Sequence, residues 1–440
     1  MPTPSLILVP ARFKTGKLYT PLATTSGGVV LGASGDFNVT RATTATRVNA
    51  SGFIELVASG IPRLDYPLGG GCPALLVEPS AQNLALRSQD FSATWSVAAS
   101  ATVTGITSPD GTPNATTFIA DSNTDRIRQT ITLTSGTTYT YSLFGKFGAL
   151  SSGFTMNVFQ ENATTYGSGV CQAFNLNEGT LGASGSVGAG FTLQSVGMEN
   201  YGNGWYRCRM TLLMGYTPAT NPRVGFRIGT QISGGIPLSV VSGSVSAWGA
   251  QLETGSVATS YIPTTTAAAT RNAEVISLSG AVSGCIGQTE GTIYAEFRYL
   301  GRETTRAGIV YLRQTASRGF GISLASNAIS FISRNISGST SINLVNGLTF
   351  GTYYKIAIAY DAGGTAAGGT EVSGVTAYVN GSPANVSVGD LRVPDATISE
   401  IRLYGAPSGS DNETANANIR AAALYTTRLT DAQLAALTTI

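Results

Sequence analysis

The feature that most constrains this chain is a two-residue alternation of apolar with hydroxylated or charged side chains, cut at short intervals by glycine-containing turns. Ile127, Ile131 and Leu133 share one parity and Arg126, Arg128, Thr130 and Thr132 the other. Beyond Ser135-Gly136, Tyr139, Tyr141 and Leu143 alternate with Thr138, Thr140 and Ser142, which predicts a hairpin across that turn. After Asn203-Gly204, a tight-turn signal, Tyr206, Cys208, Met210 and Leu212 stand opposite Trp205, Arg207, Arg209 and Thr211. Successive side chains of a strand point to opposite faces, so this period builds half-buried strands rather than helices.

The same pattern returns in the last third. Ile293, Ala295, Phe297 and Tyr299 alternate with Thr292, Tyr294, Glu296 and Arg298, and Tyr354, Ile356, Ile358 and Tyr360 with Lys355, Ala357 and Ala359. Val375, Ala377 and Val379 run into a second turn signal at Asn380-Gly381. Near the end Ile398, Ile401 and Leu403 precede Ala421, Ala423 and Tyr425. Thr430 with Gln433 forms a capping box that predicts a short helix with Leu434 and Leu437 on its apolar face. Between the two alternating regions, Thr264 to Thr270 are small residues without a hydrophobic period. The expected architecture is therefore all-β, with two antiparallel β-sandwiches of the jelly-roll kind in series. An irregular N-terminal region over 1–98 precedes a sandwich over 99–263, a linker over 264–275 and a second sandwich over 276–440 that ends in the helix. A length of 440 residues suits several cores, and 54 glycines with only 11% charged residues suit turns and hydroxyl-rich strand faces.

A net charge of +2 without a basic stripe argues against nucleic acid as a partner. Met1 to Thr20 has no unbroken apolar core of the kind a secretory signal carries, and no run approaches the ~20 apolar residues of a membrane helix. Cys72, Cys171, Cys208 and Cys285 lack C-x-x-C spacing, and Cys208 reads as a small buried hydrophobe. The sequence contains 0 histidines, which removes the Ser-His-Asp triad and imidazole metal sites.

Two stretches carry a family resemblance. DFNVTRATTATRVNASGFIE, PRLDY and CPALLVEPSAQNLALRSQDFSATWS, together with WGAQLETGSVATSYIPTTTAAATRNAEV, resemble the N-terminal and closing segments of a jelly-roll module of tailed-bacteriophage structural proteins. YGNGWYRC resembles the same jelly roll, which is like carbohydrate-binding modules in fold. The order GTIYAEF, YKIAIAYD, AYVNG, LYTTRLTDAQLAAL resembles a concanavalin A-like or laminin G-like lectin domain. In residue terms, Arg41, Glu78 and Asn83 read as structural hydrogen-bonding groups.

The resemblance implies a non-enzymatic virion protein, made in a host cytoplasm and assembled on the particle as a tail or head fibre. Its first region would anchor it to other virion proteins, and its lectin-like end would touch a host surface glycan. Such fibres are commonly homo-oligomers, often trimers. The alternatives are a decoration or joining protein that binds no receptor, and a polysaccharide-degrading tailspike-type enzyme. The enzyme would need paired carboxylates. Glu296 is a candidate, but it reads better as a surface partner of Arg298. Sugar recognition uses aromatic faces and short polar groups. Trp95, Tyr166, Tyr201 and Trp205 could supply these in the first sandwich and Tyr311, Tyr353 and Tyr404 in the second, with Trp205, Tyr201, Tyr311, Tyr353 and Tyr404 the candidate ligand residues. No cofactor is implied. Asp121 and Asp125 offer oxygen ligands for a structural calcium, as family-like jelly rolls sometimes hold, although the loop lacks dedicated calcium spacing and reads as a solvated turn.

Overall fold

The computed structural model describes residues 2–23, 35–150, 153–161, 166–217, 220–240, 242–301, 307–315, 317–325, 327–335, 337–361, 374–384, 397–403 and 416–440. Almost all regular structure is antiparallel strand, with one short α-helix near the end among the described residues. Two six-stranded sheets form the middle sandwich. One runs Ser100–Ile106, Ala115–Ala120, Gly243–Thr254, Thr137–Ala149, Trp205–Met214, Phe191–Asn200. The other runs Ser96–Val97, Ile127–Thr130, Arg223–Ile228, Gly153–Glu161, Tyr166–Asn175, Thr180–Val187.

The parity read from sequence holds. Tyr141, Leu143, Cys208, Met210 and Leu212 are fully buried between the sheets with Phe118, Phe154, Phe174 and Phe226. Asn203 and Gly204 both take positive φ, 50° and 78°, as a type I′ turn requires. The hairpin expected across Ser135-Gly136 does not form. Ile127–Thr130 pairs with Arg223–Ile228, whereas Thr137–Ala149 pairs with Trp205–Met214 and Gly243–Thr254 in the facing sheet. Alternation gives both strands an apolar face, but it cannot say whether those faces lie side by side in one sheet or face to face across a core.

Two nine-stranded sheets form the C-terminal sandwich. Ile293, Ala295, Phe297, Ile356 and Ile358 are fully buried between them with Leu312, Ile322 and Ile329. Strands from the first 98 residues complete both sheets. Leu6–Leu8 lies against Ala417–Tyr425 with Leu6 opposite Leu424, and Ala74–Val77 joins the same strand with Val77 opposite Ala417. Phe37–Thr40 pairs with Val275–Ser279, with Val39 opposite Ile276. Leu8, Leu18, Phe37, Leu75 and Val77 thus enter the C-terminal core. The helix, Asp431–Thr438, starts at Thr430 with both halves of the capping box made. Its Leu434 packs on Tyr294, Ala357 and Ala359, on the outer face of the sheet.

The motif residues converge where these parts join. Glu78 Oε2 lies 2.7 Å from Arg63 Nη1 and 3.0 Å from Arg271 Nη1, while Glu274 Oε1 lies 3.1 Å from Arg41 Nη1 and 2.6 Å from Arg63 Nε. The backbone N–H of Ser260 donates to Glu78 Oε1 at 2.7 Å, and Asn83 donates to the carbonyls of Ala250 and Ile262 at 3.0 and 2.8 Å. The stretch between the sandwiches is held in this network, with Arg271 and Glu274 each only 1% exposed. Buried charges survive when paired, and each charge in this set has an opposite partner, although Arg63 Nη2 and Arg271 Nε lack a hydrogen-bond acceptor among the described residues.

Candidate functional site

A cavity of about 620 Å³ opens between the two sandwiches and is closed on a third side by the N-terminal segment. Its floor is one rung of the C-terminal sheet. Arg298 stands opposite Tyr353 on one neighbouring strand and opposite Asn418 on the other, and Asn418 in turn faces Leu76. Glu199, Tyr201 and Arg207 from the middle sandwich form the facing wall, and Thr46 to Val48 with Asp65 to Cys72 form the third.

The polar groups are ordered by one carboxylate. Asp65 accepts from the backbone N–H of Val48 at 2.8 Å and from Asn418 Nδ2 at 3.2 Å. A carboxylate can only accept, so the Asn418 amide must turn its NH2 towards Asp65. Its Oδ1 then has no donor, and neither has Asn416 Oδ1, although both residues line the cavity and are only 3% exposed. Burial pushes Asp65 up to about 6, against the opposing pull of its Val48 hydrogen bond, Arg63 and Asn418.

The cations are placed by the strands. Between Glu296 and Phe297 the register with Ala417–Tyr425 shifts, and Arg420 is the extra residue in that bulge. It lies over the Tyr353 ring, 3.8 Å from the centroid, and its Nη1 is 2.9 Å from Glu296 Oε1. The expected Glu296–Arg298 pair is therefore replaced. Residues two apart on a strand are roughly 6.5 Å apart along it, whereas a cross-strand neighbour comes closer. Arg298 donates instead through Nε to the Gly351 carbonyl at 2.8 Å. Arg207 donates to the Thr259 carbonyl at 2.7 Å and to Ser142 Oγ at 3.2 Å. Tyr201 meets Phe144 edge-on at 4.9 Å, and burial raises its hydroxyl above the ordinary range.

Of the aromatic candidates, Tyr201 and Tyr353 are brought from different sandwiches to this one cavity. Trp205 is 2% exposed, donates its indole N–H to the Thr107 carbonyl at 2.9 Å, and borders a second hollow of about 450 Å³. Trp95 is a core residue whose indole N–H reaches the Leu86 carbonyl at 2.8 Å. Tyr311 is 1% exposed and lines neither cavity, and burial pushes its hydroxyl up to about 12. Tyr404 and the side chain of Tyr166 lie outside the described residues. Asp121 and Asp125 share a turn in which Asp125 Oδ2 accepts the backbone N–H groups of Asp121 and Ser122 at 2.9 and 3.0 Å, while Asp121 is exposed. Among the described residues no cluster of three or more Cys, Asp or Glu is set to hold a metal ion. Sequence reading gave Arg298 only as a surface partner of Glu296 and passed over Asp65, Asn416 and Asn418. Only Asp65, within PRLDY, carried a signal.

No protein-family model matches the chain, and no curated protein matches it. Among solved structures it is similar over part of its length to the CBM40 of Ruminococcus gnavus IT-sialidase bound to α2,3-sialyllactose. That likeness has 14% identity, a TM-score of 0.30, and covers 36% of this chain and 88% of that one. A leech intramolecular trans-sialidase complexed with 2,7-anhydro-Neu5Ac gives 16% identity, a TM-score of 0.28 and coverage of 37% and 25%. A botulinum neurotoxin type C structure, described by its interaction with two ganglioside molecules, gives 15%, 0.30, 38% and 40%. Likenesses this partial leave the ligand to be argued from the cavity itself.

Proposed function

We propose that the protein is a non-enzymatic virion protein of a tailed bacteriophage that contacts a host-surface glycan, and that the cavity between its sandwiches is the glycan site. One observation carries the binding reading: the Tyr353 ring, the Arg298 guanidinium and the Asn416 and Asn418 amides, whose Oδ1 atoms have no hydrogen-bond partner among the described residues, line one cavity. An unpartnered buried acceptor is costly, and a small rotation of either amide into the cavity would let a ligand hydroxyl remove that cost. The volume lies within the usual range for small-ligand sites, and the mix of aromatic rings with a few fixed polar groups suits a sugar.

The non-enzymatic part is supported by the state of two of the lining carboxylates. Glu78 is held by Arg63, Arg271 and Ser260, so it is not free to attack an anomeric carbon or to move a proton there, and Asp65 is hydrogen-bonded by Val48 and Asn418. The virion part rests on the resemblance of the motifs around Arg41, Glu78 and Arg271, and multiple copies on a particle would strengthen weak sugar contacts through effective concentration.

Isothermal titration of the purified chain against host-surface oligosaccharides tests the site. Tyr353→Ala and Asn416→Ala should each weaken binding by roughly tenfold, since each removes a contact worth about 1 to 1.5 kcal/mol. Purified protein should also block phage adsorption. Release of reducing sugar would point to the enzyme instead, and a protein that neither binds sugar nor competes for adsorption would be a joining component.

A further inference from the structure

Within the glycan-binding reading, Arg298 is a cavity cation with no acidic partner among the described residues. Arg420 is paired with Glu296, and Arg47 with Glu55 at 2.6 Å. Arg207, also without an ion pair among the described residues, already spends Nη2 on the Thr259 carbonyl and Ser142 Oγ. Of the other acids of the lining, Asp65 is engaged by Val48 and Asn418, and Glu78 by Arg63 and Arg271. Arg298, half-buried at the centre of the floor rung, donates only through Nε, to the Gly351 carbonyl at 2.8 Å. Its Nη edge has no hydrogen-bond partner among the described residues. Gly351, at φ +79°, leaves room for this pose, since a Cβ there would sit 3.3 Å from Arg298 Nη2 and the guanidinium would have to give by a few tenths of an ångström. Anchored at one end of its fork, the guanidinium is oriented in advance, and a planar fork matches a carboxylate with two parallel hydrogen bonds. The groups on either side on the same rung, Tyr353 and Asn418, are a ring face and a hydroxyl acceptor.

We infer that the ligand is a sugar bearing a carboxylate, which Arg298 grips in a bidentate pair while Asn416 and Asn418 accept from the ring or side-chain hydroxyls. The chemistry is that of a uronic or other acidic sugar. The inference depends on the cavity being a glycan site, and its test separates the two.

The probes are the methyl glycosides of glucuronic, galacturonic and N-acetylneuraminic acid, each compared with its own carboxyl methyl ester, which keeps shape and hydroxyls but removes the charge. Titration at pH 7.5 and low salt should show at least one acid binding about tenfold or more tightly than its ester, as expected for a charge-assisted bidentate pair. Arg298→Met should erase that difference by weakening acid binding far more than ester binding, and Arg298→Lys should restore it only in part. Asn416→Ala should weaken acid and ester alike. Acid and ester binding equally in the wild type would overturn the carboxylate inference and leave the glycan site standing. If none of the probes and no neutral oligosaccharide binds, the glycan reading fails and this one with it. Unfolding midpoints of the Arg298 variants, unchanged from wild type, guard against misfolding as the cause.

Discussion

Arg63 and Glu78 meet at 2.7 Å with side chains 0% and 2% exposed, in the seam where the N-terminal segment, the middle sandwich and the C-terminal sandwich come together. The pair belongs to a set in which each carboxylate serves two arginines: Glu78 serves Arg63 and Arg271, and Glu274 serves Arg41 and Arg63. Removing one partner leaves another buried charge uncompensated. Glu78→Ala is therefore expected to cost about 3 to 5 kcal/mol of stability, measured by urea unfolding. The double change Arg63→Met with Glu78→Met should cost less than the sum of the single changes, because the two groups are directly coupled.

The helix at the end of the chain offers a smaller, local test. Thr430 accepts from the Gln433 backbone N–H, and Gln433 Oε1 accepts from the Thr430 backbone N–H at 2.9 Å. Thr430→Ala should cost about 1 kcal/mol, since it removes the hydroxyl half of the box. The loss should appear as faster hydrogen exchange over Asp431–Thr438, with the middle sandwich unaffected.

Local order was legible because it is written in local residues. The parity of Tyr139 to Leu143 and Ile293 to Tyr299, the turns at Asn203-Gly204 and Asn380-Gly381, and the Thr430 box all depend on neighbours within a few positions, and all appear in the structure. Partner choice was not legible. Nothing in Leu6-Ile-Leu says that it lies against Leu424, and nothing in the alternation around Ser135 says that the chain changes sheets there. The cavity follows the same rule. Tyr201 and Tyr353 were recognisable as aromatic candidates, but Arg298 gained its role only when a bulge on the adjacent strand gave Glu296 to Arg420. Arg63 and Glu274, central to the buried network, carried no local sign of each other.

Gly145 tests how tightly the middle sandwich is packed. It lies in Thr137–Ala149, and a Cβ there would come within 2.0 Å of Phe154 Cε1, a ring that is fully buried between Phe174 and Phe226. Neither ring can move without opening the core. Gly145→Ala is expected to destabilise by about 1 to 3 kcal/mol through overpacking. Pairing it with Phe154→Leu should recover part of the loss, which a denaturation cycle on the four proteins would measure.

Two carboxyls give the stability profile opposite slopes. Burial would raise Glu78, but Arg271 and Arg63 with the Ser260 hydrogen bonds outweigh it and hold the group at about 2, below its ordinary 4.5. Its contribution is present above pH 4.5 and is lost as pH falls from there towards 2. Asp65 is raised by burial from 3.8 to about 6, so its contribution is full below pH 3.8 and is lost as pH rises through 6. The unfolding midpoint of the wild type should accordingly carry a component that declines between pH 4 and 7. Asp65→Asn, neutral throughout, should lack it while keeping the acid limb below pH 4.5 that Glu78 produces. The same proton reaches the cavity. Once protonated, Asp65 can donate to Asn418 Oδ1, turning the amide and withdrawing the acceptor that its carboxylate form presents to a ligand. Sugar affinity should then fall as pH drops through about 6. Titrations at pH 5 and 7.5 on wild type and Asn418→Ala check this: the wild type should weaken at the lower pH beyond any change in the variant, and equal pH dependence in both would show that Asn418 is not what the proton controls.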